Sequence, residues 1–188
     1  MDKKLEPPAE DDCPGRSMPG ASCADAKAGI PTCDLADPCS HLVQGQLAAL
    51  RTHTDVLMQL IAGNAITGEL RVEIVSDERM SQMHKAYKDT PGTTDVLTFD
   101  LAPDNDALLD ADILICADEA ARQADQRAHD VVSELMLYII HAVLHCTGYD
   151  DTHDNRLGIT DMHNREDEIL ASLGLGAVFH SASAEDGS

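Results

Sequence analysis

The chain has 188 residues, room for one domain of ordinary size with some chain to spare. Its 34 acidic against 13 basic residues give a formal charge of -21, which excludes a dispersed basic nucleic-acid coat and leaves only a local positive patch. Apolar residues at 43% suffice for a core, while aromatics at 3% with no Trp argue against the stacking platform that single-strand binders use.

Residues 1–41 are rich in Pro, Gly, Ala, Asp and Cys and carry no apolar period, so a disordered or loosely held N-terminal extension is expected. Its first residues lack an apolar h-region, so no secretory signal is read there. The domain is placed at 42–178, with a small polar tail at 179–188. Leu47 to Ile61 repeats apolar residues at helical spacing, and Gly63-Asn64 ends that helix. Leu70, Val72 and Ile74 alternate with Arg71, Glu73 and Val75, the pattern of a strand with one buried face. Asp77 can cap a helix from Glu78 to Lys88, and Pro91-Gly92 breaks the chain after it. Thr94 to Phe99 and Asp110 to Cys116 read as strands. Asp118 begins a helix to about Arg127, Val131 to Cys146 is a mostly buried helix stopped by Gly148, and Ile159 to Leu173 is a last helix. Strands early and helices late predict an α+β fold, a small mixed sheet covered by helices. No apolar run reaches the ~18–20 residues of a membrane span, and the chain reads as cytoplasmic.

Six cysteines are present, four of them before residue 40, and none is paired as Cys-x-x-Cys. That spacing gives little support to a zinc knot, and a reducing compartment disfavours disulfides. The chemistry concentrates in His141-Ala-Val-Leu-His145-Cys-Thr-Gly-Tyr-Asp-Asp151. His141 and His145 are four apart on a helix, so both imidazoles leave one face. Gly148 permits a sharp turn that can fold Asp150, Asp151 or His153 back toward them. Two helical histidines and one ligand from the turn make a three-ligand metal site with a position left for water. Two hydrogen-bonded core histidines are the plain alternative. The spacing is similar to the metzincin proteases, but their general-base Glu is here Ala142, which argues against peptide hydrolysis.

Further segments bear on the nearest relative. Thr94-Asp-Val-Leu-Thr-Phe99 resembles the Thr-Asp-Val-Leu-Ser-Phe motif of the bacterial YbeY family of endoribonucleases. Asp112-Ile-Leu-Ile-Cys-Ala-Asp118 resembles a strand of that family, His141 to Asp151 its histidine signature, and Met162 to Leu170 its closing helix. The likeness runs in order from about 47 to 174. It implies a zincin-like fold, a zinc ion, and cleavage of single-stranded RNA tied to 16S rRNA 3′-end maturation and ribosome quality control. His141 and His145 carry over as ligands. The family's third histidine falls on Asp151, which is favoured over His153 because it keeps the ligand register. Two histidines and a carboxylate also suit Fe(II) or Mn²⁺. An Arg that the family uses before Thr-Asp-Val-Leu is here Lys88, which keeps the charge and loses the bidentate fork. Lys88 is thus a candidate for stabilising charge on the reacting phosphate, against the alternative of an exposed helix-end lysine.

Asp95 is read as a turn or strand-edge hydrogen-bonder, with a supporting role beside the metal as the alternative. Cys116 and Cys146 are read as packed thiols, and His129, His163 and His180 as surface residues. Residues 51–188 hold 26 acids and 9 bases, so the folded part is itself strongly acidic. RNA binding then requires Lys85, Lys88, Arg71, Arg122 and Arg127 to gather along one rim, or a basic ribosomal-protein partner. Three readings follow: a metal-dependent endoribonuclease acting on ribosomal RNA, a non-catalytic metal-containing ribosome assembly factor, and a metallopeptidase. The first is preferred. Oligomeric state is not legible.

Overall fold

The computed structural model describes residues 29–102, 107–149 and 156–178. The elements run β1 (Thr32–Ala36), α1 (Gln44–Ala62), β2 (Thr67–Val75), α2 (Asp77–Lys88), β3 (Val96–Asp100), β4 (Leu108–Cys116), α3 (Ala117–Arg127), α4 (Val131–Cys146) and α5 (Arg156–Ser172). The strands form one sheet in the order β1-β2-β4-β3. β1 and β4 are parallel to β2, and β3 is antiparallel to β4. This is the small mixed sheet under helices that the pattern of elements predicts.

Period-two alternation sets the two faces of the sheet. Leu70, Val72 and Ile74 of β2 and Ala111, Ile113 and Ile115 of β4 enter the main core. The opposite face carries Val75, Leu97, Leu114 and Cys116, which pack with Met80 of α2. Arg71 lies on that face too and is held by Glu69, Asp110 and Asp112. α4 runs through the main core. Leu135, Met136, Ile139 and Ile140 are fully buried there, each worth about 1.5–3 kcal/mol of apolar burial. Asp130 starts α4 by accepting from Val132 N at 2.8 Å. Gly148 closes it at φ 93°, a conformation open to glycine, so Tyr149 N can donate back to Leu144 O at 3.0 Å.

β1 corrects the domain start at 42. Thr32–Ala36 pairs with Glu69–Glu73, so the sheet begins inside the segment that the composition assigns to the extension. Leu35 is the only buried residue of that strand, so its sequence has no alternating apolar signal. Asp37 then accepts from His41 N and Leu42 N, each at 2.9 Å, and turns the chain toward α1. The rest of the expected extension, residues 1–28, lies outside the described residues. Cys39 is disulfide-bonded, against the expectation for a reducing compartment, while Cys33, Cys116 and Cys146 are free thiols. Among the described residues no helix is long and apolar enough to cross a membrane.

Gly68 is required where β2 meets β4. Its φ is +125°, and a Cβ there would stand 2.1 Å from the carbonyl oxygen of Leu109. Gly68→Ala is therefore expected to lower stability by about 3 kcal/mol, from backbone strain and a clash that no rotamer relieves. Urea unfolding measures it; a midpoint unchanged from wild type would contradict this account.

Candidate functional site

Helical geometry brings His141 and His145 together on one face of α4. Their Nε2 atoms are 3.2 Å apart, and the rings meet nearly edge to face at 84°. Tetrahedral zinc with Zn–N of ~2.0–2.1 Å requires ligand nitrogens roughly 3.3 Å apart, so the donor pair fits a metal of that size. Behind the pair stands Glu166 of α5, fully buried, whose Oε1 lies 2.8 Å from His141 Nδ1. A carboxylate accepting there selects the tautomer with the proton on Nδ1, which would present the Nε2 lone pair outward. The second oxygen of Glu166 is buried with no hydrogen-bond partner among the described residues.

The site opens into a cleft of about 430 Å³. Its walls are the loop Thr93–Asp95, one side of α3, the inward face of α4 and, from α5, His163 and Glu166. The lining is acidic. Asp95, Glu119, Glu134 and Glu166 face it, with Arg127 the one Lys or Arg side chain among the lining residues. Arg127 is already committed: its Nη1 donates to both oxygens of the buried Glu134, at 2.9 and 3.1 Å. This lining repels a phosphate unless a cation is bound beside the imidazoles.

The remaining sequence candidates fall as follows. Asp151 and its alternative His153 lie outside the described residues. Lys88 is the last residue of α2, exposed, and does not line the cleft. Asp95 makes the expected turn bonds, its Oδ1 accepting from Thr94 Oγ1 at 2.9 Å and from Val96 N at 2.8 Å. Cys146 is a buried thiol pushed up to about 12 by burial, so it stays protonated. Two histidines depart from their reading as surface residues. His163 lines the cleft one turn before Glu166, and His129 Nε2 meets Glu134 Oε2 at 2.6 Å. Spacing along the chain could not find either, because their partners come from other elements. Glu166 was equally hidden as a site residue; its only signal is a carboxylate on the buried side of α5, between Met162 and Leu170.

A second group has atoms of metal-ligating type. Asp77, Cys116 and Asp118 each bring one within 4.8 Å of the others. Arg122 engages both oxygens of Asp77, at 2.6 and 2.8 Å, and holds that carboxyl down at about 2. Burial pushes the Cys116 thiol up to about 11, and it donates to Asp77 Oδ1 at 3.2 Å. The Asp77 charge is thus balanced by a guanidinium.

An α+β domain with two convergent imidazoles on a buried helix and a carboxylate behind them has the build of a metal-dependent hydrolase. Comparison with known proteins gives the family. The model of the family described as Endoribonuclease YbeY matches residues 35–174. Endoribonuclease YbeY of Moorella thermoacetica is 35% identical over 138 residues, 67% of this chain and 87% of that protein. Its counterpart in Nitratiruptor is 32% identical over 139 residues, 71% of this chain and 93% of that protein. The solution structure of TM1509 from Thermotoga maritima has the same fold, with a TM-score of 0.54 at 18% identity over 85% of this chain and 99% of that one. The chain belongs to the endoribonuclease YbeY family.

Proposed function

We propose that this protein is a metal-dependent endoribonuclease that cleaves single-stranded ribosomal RNA in the cytoplasm, at the 16S 3′ end, as a step of ribosome maturation. As a member of its family it is a hydrolase acting on RNA. The observation that carries the metal-dependent reading is the 3.2 Å approach of His141 Nε2 and His145 Nε2, with His141 lining the cleft and Glu166 beside its Nδ1.

His141 and His145 would hold the metal, with Asp151 as third ligand and His153 as its alternative. Zinc is the first candidate, and Fe(II) or Mn²⁺ would suit the carboxylate. When bound, the metal supplies Lewis acidity toward a phosphate oxygen and acidifies water. Glu166 keeps the His141 proton on Nδ1 and turns Nε2 to the cleft. Lys88 would place a positive charge on the phosphate from the end of α2. The acidic lining excludes a second phosphate from the cleft unless cations offset it.

Metal removal tests this reading. The full chain is stripped with a chelator, then reloaded with zinc, Fe(II) or Mn²⁺, and given an end-labelled single-stranded RNA carrying a 16S 3′-end sequence. Cleavage is expected to vanish on stripping and return with one of the metals, and a duplex of the same sequence is expected to resist. Cleavage that survives stripping would overturn the metal-dependent reading. No cleavage by any loaded form would leave a non-catalytic assembly factor.

A further inference from the structure

The acidic surface raises the question of where an RNA strand first holds on. Three of the five cations expected to gather along one rim are already held by carboxylates. Arg71 is held by Glu69, Asp110 and Asp112, Arg122 by Asp77 and Glu119, and Arg127 by Glu134. Lys85 and Lys88, three apart on the last turns of α2, are exposed and make no ion pair among the described residues. Two unpaired ammonium groups therefore stand at the C-terminal end of α2, against the one exposed carboxylate of Asp89 at its cap.

Tyr87 stands at the same end. It is 61% exposed, yet its ring packs against Phe99 of β3 at a centroid distance of 4.9 Å and an angle of 71°. An aromatic ring held by an edge contact and still open to solvent can stack a base with little further ordering. One contact ties α2 to the loop that borders the cleft. His84 Nδ1 lies 3.0 Å from the carbonyl oxygen of Gly92, and the next residues, Thr93 to Asp95, line the cleft.

We infer that the end of α2 is a docking step for single-stranded RNA, with one base stacked on Tyr87 and the flanking phosphates drawn by Lys85 and Lys88, next to the loop that borders the cleft. This rests on the reading of the protein as an RNA-cleaving enzyme. With so few aromatics in the chain, it is a contact of one ring rather than a row of rings. A single strand is favoured because only an unpaired base offers its face to the ring.

The test uses the zinc-loaded full chain and a short 2′-O-methylated single-stranded RNA, which binds without being cut, followed by fluorescence anisotropy. Tyr87→Ala is expected to weaken binding about tenfold, the scale of losing one stacked base, and Tyr87→Phe to restore it. Lys85→Gln is expected to flatten the dependence of log affinity on log salt by about 0.7, one phosphate contact on a single strand. On cleavable RNA, Tyr87→Ala is expected to raise KM and leave kcat unchanged. Wild-type affinity in both Tyr87→Ala and Lys85→Gln would overturn the docking step, and continued RNA cleavage would leave the enzyme reading standing. A wild type that binds the strand through Tyr87 and never cleaves would do the reverse.

Discussion

His145→Ala is expected to abolish both metal binding and RNA cleavage. His141 and His145 are the two histidines of α4, and their Nε2 atoms, 3.2 Å apart, would form one edge of the proposed donor set. Removing one leaves a single helix-borne ligand, which cannot retain a divalent ion against water and buffer. Loss of a supporting partner alone costs about 10–100-fold in metal affinity, so loss of a ligand itself should exceed that. Metal content by elemental analysis should fall from one ion per chain to none, and cleavage of single-stranded RNA should fall by more than about a hundredfold. His145 is only partly buried, so the variant should unfold at close to the temperature of the metal-stripped wild type. A folded His145→Ala that keeps its metal and its cleavage would remove the imidazole pair from the mechanism.

Glu166→Gln is expected to weaken metal binding while leaving stability equal or higher. Glu166 is fully buried, and among the described residues only one of its oxygens is hydrogen-bonded, to His141 Nδ1 at 2.8 Å. A buried carboxylate with one partner is costly to the fold, and the neutral isostere removes that cost. The same change weakens the acceptor that fixes the imidazole and raises its basicity, for a loss of about 10–100-fold in metal affinity. A competing-chelator titration measures the affinity and thermal unfolding the stability. Opposite signs identify a carboxylate kept for the site at the expense of the fold. Unchanged metal affinity would reduce Glu166 to a buried core charge.

Local periodicity decides much of this molecule. The run Val131 to Cys146 admits only a buried helix, because apolar side chains occupy nearly every turn. The alternation in β2 fixes which residues enter the core, since a pleated strand sends successive side chains to opposite faces. His141 and His145 meet because a helix repeats nearly every four residues, and no other part of the fold is needed to bring them together. The convergence of the two histidines and the family motifs are therefore legible in the chain itself.

What the sequence leaves open depends on partners distant along the chain. β1 exists because β2 offers it a parallel edge, not because five residues with a single buried side chain prefer a strand. Glu166 becomes part of the site only when α5 packs on α4 and brings its carboxylate to an imidazole 25 residues earlier. His163 faces the cleft for the same reason. The arginines look available for RNA until the sheet sets Arg71 beside Asp110 and Asp112, and the helices set Arg122 beside Asp77 and Arg127 beside Glu134. Charge counts add over the sequence, but ion pairing depends on distance in space. Only the tertiary structure decides which cations remain free, and it leaves Lys85 and Lys88 beside an open tyrosine.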